Sequence, residues 1–219
     1  MIRYRCLLLD HDDTVFDSTR HIHYPAFLET LKQLRPQDPP LPFSQFLNWC
    51  HSLGFQRIID EVYHFDKDEL AVEYAIWKQY THAHIPEPFA GMNALLTRFR
   101  QAGGLIVVVS HSESQEIRRD YRTHFGFEPD LVFGWELGIA KRKPNAFPVL
   151  ETLRTFQLDP KACLMVDDMR MGLDMVAPFG IDFALAGWSH GEPTILNDMK
   201  NASTYVLESV QALEAILFE

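Results

Sequence analysis

Short apolar runs alternate with longer, mostly polar segments along much of the chain. Each run spans only a few residues and is bounded by polar ones. A continuous apolar run of that length is typical of a strand buried on both faces. The pattern predicts strands at residues 6–9, 105–109, 131–133, 162–166, 183–186 and 205–206.

Between these runs, apolar residues recur at the spacing of one helical face. Helices are predicted from about Pro25, over 43–59 with a break at Gly54, from 66 to about 82, over 94–100, over 113–125, over 143–156, from 169 to 179, and at the end around Val210–Leu217. Strands that alternate with helices imply right-handed crossovers. We therefore expect an α/β fold with a doubly wound, Rossmann-like parallel sheet.

One long segment departs from this alternation. Residues 19–86 carry helical patterns and no strand pattern, with a proline-rich loop over 35–42 and a capping-box sequence, Asp66 to Glu69, opening its last helix. A helical segment of this length can bury a small core of its own. The predicted domains are an α/β core of residues 1–17 and 88–219 and an all-helical domain of residues 18–87.

Composition narrows the classes of function. The 219 residues carry a net charge of −10, which disfavours nucleic-acid binding because phosphate backbones would repel the chain. Neither a signal peptide nor a membrane-spanning stretch is apparent in the sequence. Cys6, Cys50 and Cys163 are odd in number and scattered, which favours reduced thiols and a cytoplasmic location.

The candidate chemistry lies where the predicted strands end. Asp10 and then Asp12 follow the first strand, Ser110 follows the second, and Asp167–Asp168 close the fourth. The carboxyl ends of parallel strands share one edge of the sheet, where ligands gather. Clustered carboxylates repel one another, and Mg²⁺ favours such an all-oxygen site.

Lys143 is predicted at the start of a helix, from which its ammonium could reach the same edge. Each residue has a simpler interpretation: Ser110 could cap a helix, Lys143 could be a solvated charge, and the paired acids could form a turn. Their joint occurrence in one strand–helix series favours a site for a phosphoryl group.

Four motifs in this order resemble those of the haloacid dehalogenase superfamily, in particular its phosphatase-like members with a helical cap after the first motif. The resemblance spans essentially the whole chain. The motifs are Asp10-His11-Asp12-Asp13-Thr14, Val109-Ser110, Lys143-Pro144 and Val166-Asp167-Asp168. The helical segment stands where that family keeps its cap.

The resemblance implies a role for each motif residue. Asp10 would be the nucleophile that forms an aspartyl-phosphate, and Asp12 the general acid and then the base. Ser110 and Lys143 would hold phosphoryl oxygens, with backbone N–H groups of His11, Asp12 and His111 completing the phosphate site. Mg²⁺ would be bound by Asp10, the carbonyl of Asp12 and Asp168, with Asp167 as a further ligand or as outer support.

The chain also departs from the family pattern. Asp13 stands where glycine is common, although the turn there can require a positive φ. Gly172 stands where a second acidic residue often lies, and Asp167 is the expected replacement. Lys141 is a rival to Lys143, which is preferred because Pro144 follows it. The side chains of His11 and His111 are expected either to contact substrate or to face solvent.

These observations favour a Mg²⁺-dependent phosphatase that acts on a small phosphorylated metabolite. A dehalogenase has no leaving oxygen to protonate and does not need Asp12. The alternatives are a phosphomutase of the same superfamily and a non-catalytic module that senses phosphate or binds a partner.

Overall fold

The computed structural model describes residues 2–218, so the outermost residues of the predicted core lie outside it. Within this range, six strands form one sheet in which all neighbouring strands run parallel. The strands, in sheet order, are β5 (Leu131–Phe133), β4 (Leu105–Val109), β1 (Cys6–Leu9), β6 (Cys163–Asp167), β7 (Asp182–Ala186) and β8 (Tyr205–Leu207). The predicted parallel α/β fold is confirmed.

The helices of this unit alternate with its strands. They are α5 (Met92–Gln101), α6 (Ser114–Phe125), α7 (Phe147–Phe156), α8 (Arg170–Val176), α9 (Pro193–Lys200) and α10 (Val210–Leu217). Every residue of β1 and β6 is buried, as expected for central strands covered on both faces. Side chains from the sheet pack with Leu96 and Phe99 of α5 and Leu213 of α10 in the main hydrophobic core.

The strand order places a crevice beside the first strand. From β1 the chain moves outward to β4 and β5, and then returns to the other side of β1 to form β6. The order therefore reverses between β1 and β6. In open α/β sheets, ligands bind outside the carboxyl ends of the strands at such a reversal.

A second compact unit comprises Asp17–Pro86, and the first comprises the described residues up to Phe16 and from Glu87 onward. These junctions lie one residue from the predicted boundaries. The second unit holds α1 (Tyr24–Leu34), α2 (Phe43–Ser52), the short α3 (Phe55–Arg57) and α4 (Lys67–Ala83), with π-helical turns at Thr19–His23 and Ile58–Val62. Two short strands, β2 (Phe16–Asp17) and β3 (Glu87–Pro88), pair where the chain leaves and re-enters the first unit.

The helical unit has its own apolar cluster, which includes Phe27, Phe46 and Ile58. The expected capping box is present at the start of α4. The Asp66 carboxylate accepts hydrogen bonds from the backbone of Asp68 and Glu69, and the Glu69 side chain accepts one from the backbone of Asp66. Within residues 2–218, no helix combines the length and the apolar character needed to cross a bilayer.

Candidate active site

A tight turn follows β1 and carries the first motif. The amide of Asp10 still bonds to the carbonyl of Val166, and the carbonyl of His11 then accepts from the amides of Val15 and Phe16. Asp13 has a φ of 56°, in the left-handed region that favours glycine. Asp is among the few other residues that enter this region readily, so the turn forms without a glycine.

Three buried carboxylates converge at the β1–β6 crevice. Asp10, Asp167 and Asp168 each offer an oxygen, and these oxygens all lie within 4.8 Å of one another. Burial raises the pKa of Asp10 well above its usual range, and the charge of Asp167 adds to this effect while Lys143 opposes it. Burial likewise raises the pKa of Asp168, again with a contribution from Asp167. The crowded carboxylates therefore favour a cation among them.

Lys143 reaches this cluster from the loop before α7. Its Nζ lies 2.8 Å from Oδ2 of Asp10 and 2.9 Å from Oδ2 of Asp167, and the side chain is buried. Burial alone would lower the pKa of Lys143, but the two carboxylates outweigh burial and raise it. The ammonium thus stays charged beside Asp10.

The predicted helix start at Lys143 is wrong, because α7 begins only at Phe147. Pro148, rather than Pro144, occupies the first helical turn, a position that suits proline. The carbonyl of Lys143 accepts a hydrogen bond from Nε2 of His111 at 3.0 Å instead of joining a helix. The rival Lys141 is exposed, and its Nζ lies 5.0 Å from the centre of the Phe147 ring.

Asp12 lies against the loop that follows β4. Its Oδ2 accepts a hydrogen bond from Oγ of Ser110 at 3.1 Å and another from Oγ of Ser112 at 2.7 Å. Ser110 is buried, whereas Asp12 is partly exposed. The structure thus joins the first and second motifs, and it adds Ser112, which the sequence patterns did not single out.

His11 does not face solvent, and its contacts are with protein groups. The ring is 2% exposed, its Nε2 lies 3.1 Å from Oδ2 of Asp120, and it packs 4.7 Å from the Phe16 ring. Its backbone amide donates to Oδ1 of Asp10 at 2.7 Å. This histidine therefore ties the turn that follows β1 to α6.

His111 is mostly enclosed by the loop that precedes α7. Besides its bond to the Lys143 carbonyl, its ring meets the Trp135 ring edge-on at 5.8 Å. Burial lowers the pKa of His111 to about 3, and the ammonium of Lys143 adds to this effect. The side chain is therefore neutral near pH 7 and supports the Lys143 loop.

Asp168 contacts Thr14 of the first motif and two residues that the sequence patterns missed. Its Oδ1 accepts from Oγ1 of Thr14 at 3.2 Å, and its Oδ2 accepts from Oγ of Ser189 at 3.3 Å and lies 3.6 Å from Nε2 of His190. Ser189 and His190 follow β7, whose carboxyl end lies at the same edge of the sheet. That topology was the only signal for them in the sequence.

Comparison with known proteins decides the family. A model of the family described as haloacid dehalogenase-like hydrolase matches residues 7–186. The chain belongs to the haloacid dehalogenase-like hydrolases. The predicted resemblance is confirmed, and with it the prediction that the chain is an enzyme, a hydrolase.

Similar proteins include a phosphoglycolate phosphatase and two solved structures. A phosphoglycolate phosphatase of Aquifex aeolicus (strain VF5) is 25% identical over 193 residues, covering 85% of this hydrolase and 86% of the relative. A solved structure of a predicted phosphoglycolate phosphatase from Haemophilus somnus has a TM-score of 0.79 at 16% identity, with 99% of each chain covered. CbbY from Rhodobacter sphaeroides, in complex with xylulose-1,5-bisphosphate, has a TM-score of 0.71 at 18% identity, with 95% of each chain covered.

Gly172 of this hydrolase adjoins the carboxylate cluster. A Cβ atom at Gly172 would lie 2.2 Å from Oδ2 of Asp167, which leaves no room for a side chain. Asp167 therefore occupies the space that a side chain at position 172 would need.

The residues of the hydrolase site fit a hard divalent cation. The cluster holds three buried carboxyl groups and the ammonium of Lys143, which contacts two of them and offsets the charge of only one when all three are ionised. Carboxylate oxygens are the donors that Mg²⁺ prefers. Lys143 already occupies one side of Asp10 and Asp167, whereas Asp168 accepts hydrogen bonds from the hydroxyls of Thr14 and Ser189.

Proposed function

We propose that this hydrolase is a Mg²⁺-dependent phosphatase that cleaves a small phosphorylated metabolite through an aspartyl-phosphate on Asp10. The observation that carries the proposal is the setting of Asp10. Its carboxylate lies beside a buried ammonium and two further carboxylates at the carboxyl end of β1, two residues before the partly exposed Asp12.

In the first step, a carboxylate oxygen of Asp10 attacks phosphorus. A bond forms between that oxygen and phosphorus as the bond to the leaving oxygen breaks, and Asp12 supplies the proton that the leaving oxygen takes up. The products are an alcohol and an aspartyl-phosphate.

In the second step, Asp12 acts as a base. It takes a proton from water, the water oxygen attacks phosphorus, and the bond from phosphorus to Asp10 breaks. Inorganic phosphate leaves, and Asp10 returns as a carboxylate. One partly exposed carboxyl group can serve both steps because it ends each step in the protonation state that the other requires.

Lys143 and Ser110 hold the phosphoryl oxygens in this proposal. The ammonium of Lys143 offsets the repulsion between Asp10 and an incoming phosphate dianion, which is why its charged state matters. The hydroxyl of Ser110 lies 3.1 Å from Oδ2 of Asp12, so the two side chains lie in the same part of the proposed site. Backbone N–H groups of Asp12 and His111 are proposed to add donors, whereas the His11 amide already donates to Asp10.

The proposed metal ligands are Asp10, Asp168 and the carbonyl of Asp12. Both carboxylate oxygens of Asp167 accept hydrogen bonds, from Lys143 and from the amide of Met169, which favours outer support as its role. When bound, Mg²⁺ supplies positive charge beside the phosphoryl oxygens.

The names of the relatives suggest the substrate class. The Aquifex aeolicus relative is a phosphoglycolate phosphatase, and the CbbY structure holds a sugar bisphosphate. We propose a small phosphorylated metabolite, and the helical unit Asp17–Pro86 as the cap of the enzyme. The net charge of −10 argues against a nucleic-acid substrate. A cytoplasmic location stays a prediction, which cell fractionation tests.

A panel of phosphomonoesters, including 2-phosphoglycolate, sugar phosphates and an aryl phosphate, tests the proposal by release of phosphate with and without Mg²⁺. Asp10→Asn is expected to remove turnover while the fold persists, as measured by circular dichroism. Conversion of glucose 1-phosphate to its 6-phosphate isomer would identify a phosphomutase instead. Mg²⁺ binding without turnover of any ester would favour a non-catalytic module.

A further inference from the structure

The carboxylate of Asp12 is held by a pair of serine hydroxyls. Ser110 and Ser112 both donate to the same oxygen, Oδ2, at 3.1 and 2.7 Å. Ser112 is the nearer donor, and it is only 5% exposed. Its role is not covered by the four motifs.

The two serines are also linked to each other through the backbone of Ser112. The amide of Ser112 donates to Oγ of Ser110 at 2.9 Å, and the carbonyl of Ser112 accepts from the amide of Trp135 at 3.0 Å. The backbone of Ser112 is thereby fixed on both sides. A buried hydroxyl on a fixed backbone has little freedom to move away from Asp12.

The hydroxyl of Ser110 cannot serve two acceptors at once. A serine hydroxyl carries one proton, and in the structure that proton is directed to Asp12. When Ser110 donates to a phosphoryl oxygen, it must release Asp12. Ser112 is then the donor that keeps the Asp12 carboxyl in place.

We propose that Ser112 is the positioning residue for the proton-transferring carboxyl of Asp12, while Ser110 exchanges its hydrogen bond from Asp12 to the substrate. This inference rests on the proposed phosphatase activity. It assigns proton transfer to the Ser112–Asp12 pair and phosphate binding to Ser110. Although both serines donate to the same oxygen, their substitution should therefore impair different steps, proton transfer for Ser112 and phosphate binding for Ser110.

Leaving-group dependence separates these roles. The ratio kcat/KM reports steps up to release of the alcohol, the first irreversible product. An alkyl phosphate needs a proton on its leaving oxygen, whereas p-nitrophenyl phosphate leaves as a stable anion. Loss of a well-placed general acid should therefore slow the alkyl ester far more than the aryl ester.

For Ser112→Ala we expect kcat/KM to fall about tenfold or more on an alkyl phosphate, a part of the ~10²–10⁴-fold contribution of a general acid. We expect little change on p-nitrophenyl phosphate. Asp12→Asn should show the same selectivity with a larger loss. Ser110→Ala should instead impair both esters and raise KM.

Ser114→Ala is the matched control, since Ser114 lies two residues farther along and its Oγ bonds to Glu136. The ratio of its kcat/KM values on the two esters should equal that of the wild type. If Ser112→Ala fails to fold, Ser112→Cys keeps the size and only a weak donor, and it should show the same selective loss.

Equal losses on both esters, or none, in a folded Ser112 variant would overturn the inference while leaving the phosphatase proposal intact. Failure of the wild-type protein to cleave either ester, or an Asp12→Asn variant that matches wild type, would count against the proposed function itself.

Discussion

Removal of the buried ammonium at the carboxylate cluster should destabilise the fold strongly. Lys143→Met keeps the side-chain length but leaves Asp10 and Asp167 without the charge that contacts them at 2.8 and 2.9 Å. Breaking a buried ion pair by removing one partner costs about 3–5 kcal/mol. For a chain of this size, that loss lowers Tm by about 6–20 °C.

Lys161→Met is the matched control for this change. Lys161 also pairs with an aspartate, with its Nζ 3.8 Å from Oδ1 of Asp182, but its side chain is 71% exposed. An exposed pair contributes about 0–1 kcal/mol. Thermal unfolding of both variants at pH 8 with a chelator present gives the comparison, and equal shifts in Tm would refute the assigned burial and pairing of Lys143.

The deficit of Lys143→Met should also depend on pH. Burial raises the pKa of Asp10 in the folded protein, and loss of Lys143 removes the effect that opposes this rise. A carboxyl group with a raised folded pKa favours folding at low pH and loses that contribution as pH rises through the folded value. The difference in Tm between variant and wild type should therefore be larger at pH 8 than at pH 5, and an unchanged difference would contradict this reasoning.

Three further predictions concern the surroundings of the cluster. Mg²⁺ at about 100 times its Kd should stabilise the wild type by about 2.7 kcal/mol. Asp168→Asn should abolish this stabilisation in thermal-shift measurements, and stabilisation that persists in the variant would exclude Asp168 as a ligand. Burial lowers the pKa of His111 to about 3, so the folded protein keeps this side chain neutral at pH 5, whereas the unfolded chain binds a proton there. Lowering the pH from 8 to 5 should therefore reduce the free energy of unfolding by about 2 kcal/mol through His111. His111→Gln should lose that part of the acid sensitivity in urea titrations, and identical pH profiles would contradict the burial. Gly172→Ala places a Cβ 2.2 Å from Oδ2 of Asp167 and should lower the free energy of unfolding by about 1–3 kcal/mol. It should also weaken Mg²⁺ binding measured by calorimetry, whereas an unchanged affinity would show that Asp167 can shift freely.

The strands were the most predictable part of the fold. A short, continuous apolar run such as Leu105–Val109, set between helical segments, is best explained by a buried strand, and the structure has a strand there. The helix Pro193–Lys200 was missed, because its eight residues fall short of the roughly 10–12 over which a helical pattern becomes distinct. The start of α7 was misplaced because Pro144 and Pro148 both suit a first helical turn, and only the tertiary contact between His111 and the Lys143 carbonyl distinguishes them.

The acidic members of the site could be located from the sequence because topology alone brings strand ends together. Asp10 and Asp168 meet for this reason, although their proposed roles stay predictions. Ser112 and His11 could not be placed in the same way. Their contacts depend on the path of a loop and on helix packing, which residue spacing does not determine.

In the proposed reaction, Asp10 carries the phosphoryl group during turnover. The most direct measurement is to quench the enzyme during hydrolysis of a phosphomonoester with Mg²⁺, reduce the acyl phosphate with borohydride, and locate the resulting homoserine by peptide mass spectrometry. We expect homoserine at position 10 of the wild type and none in the Asp10→Asn variant. Homoserine at another aspartate, or active hydrolysis that never modifies Asp10, would contradict it.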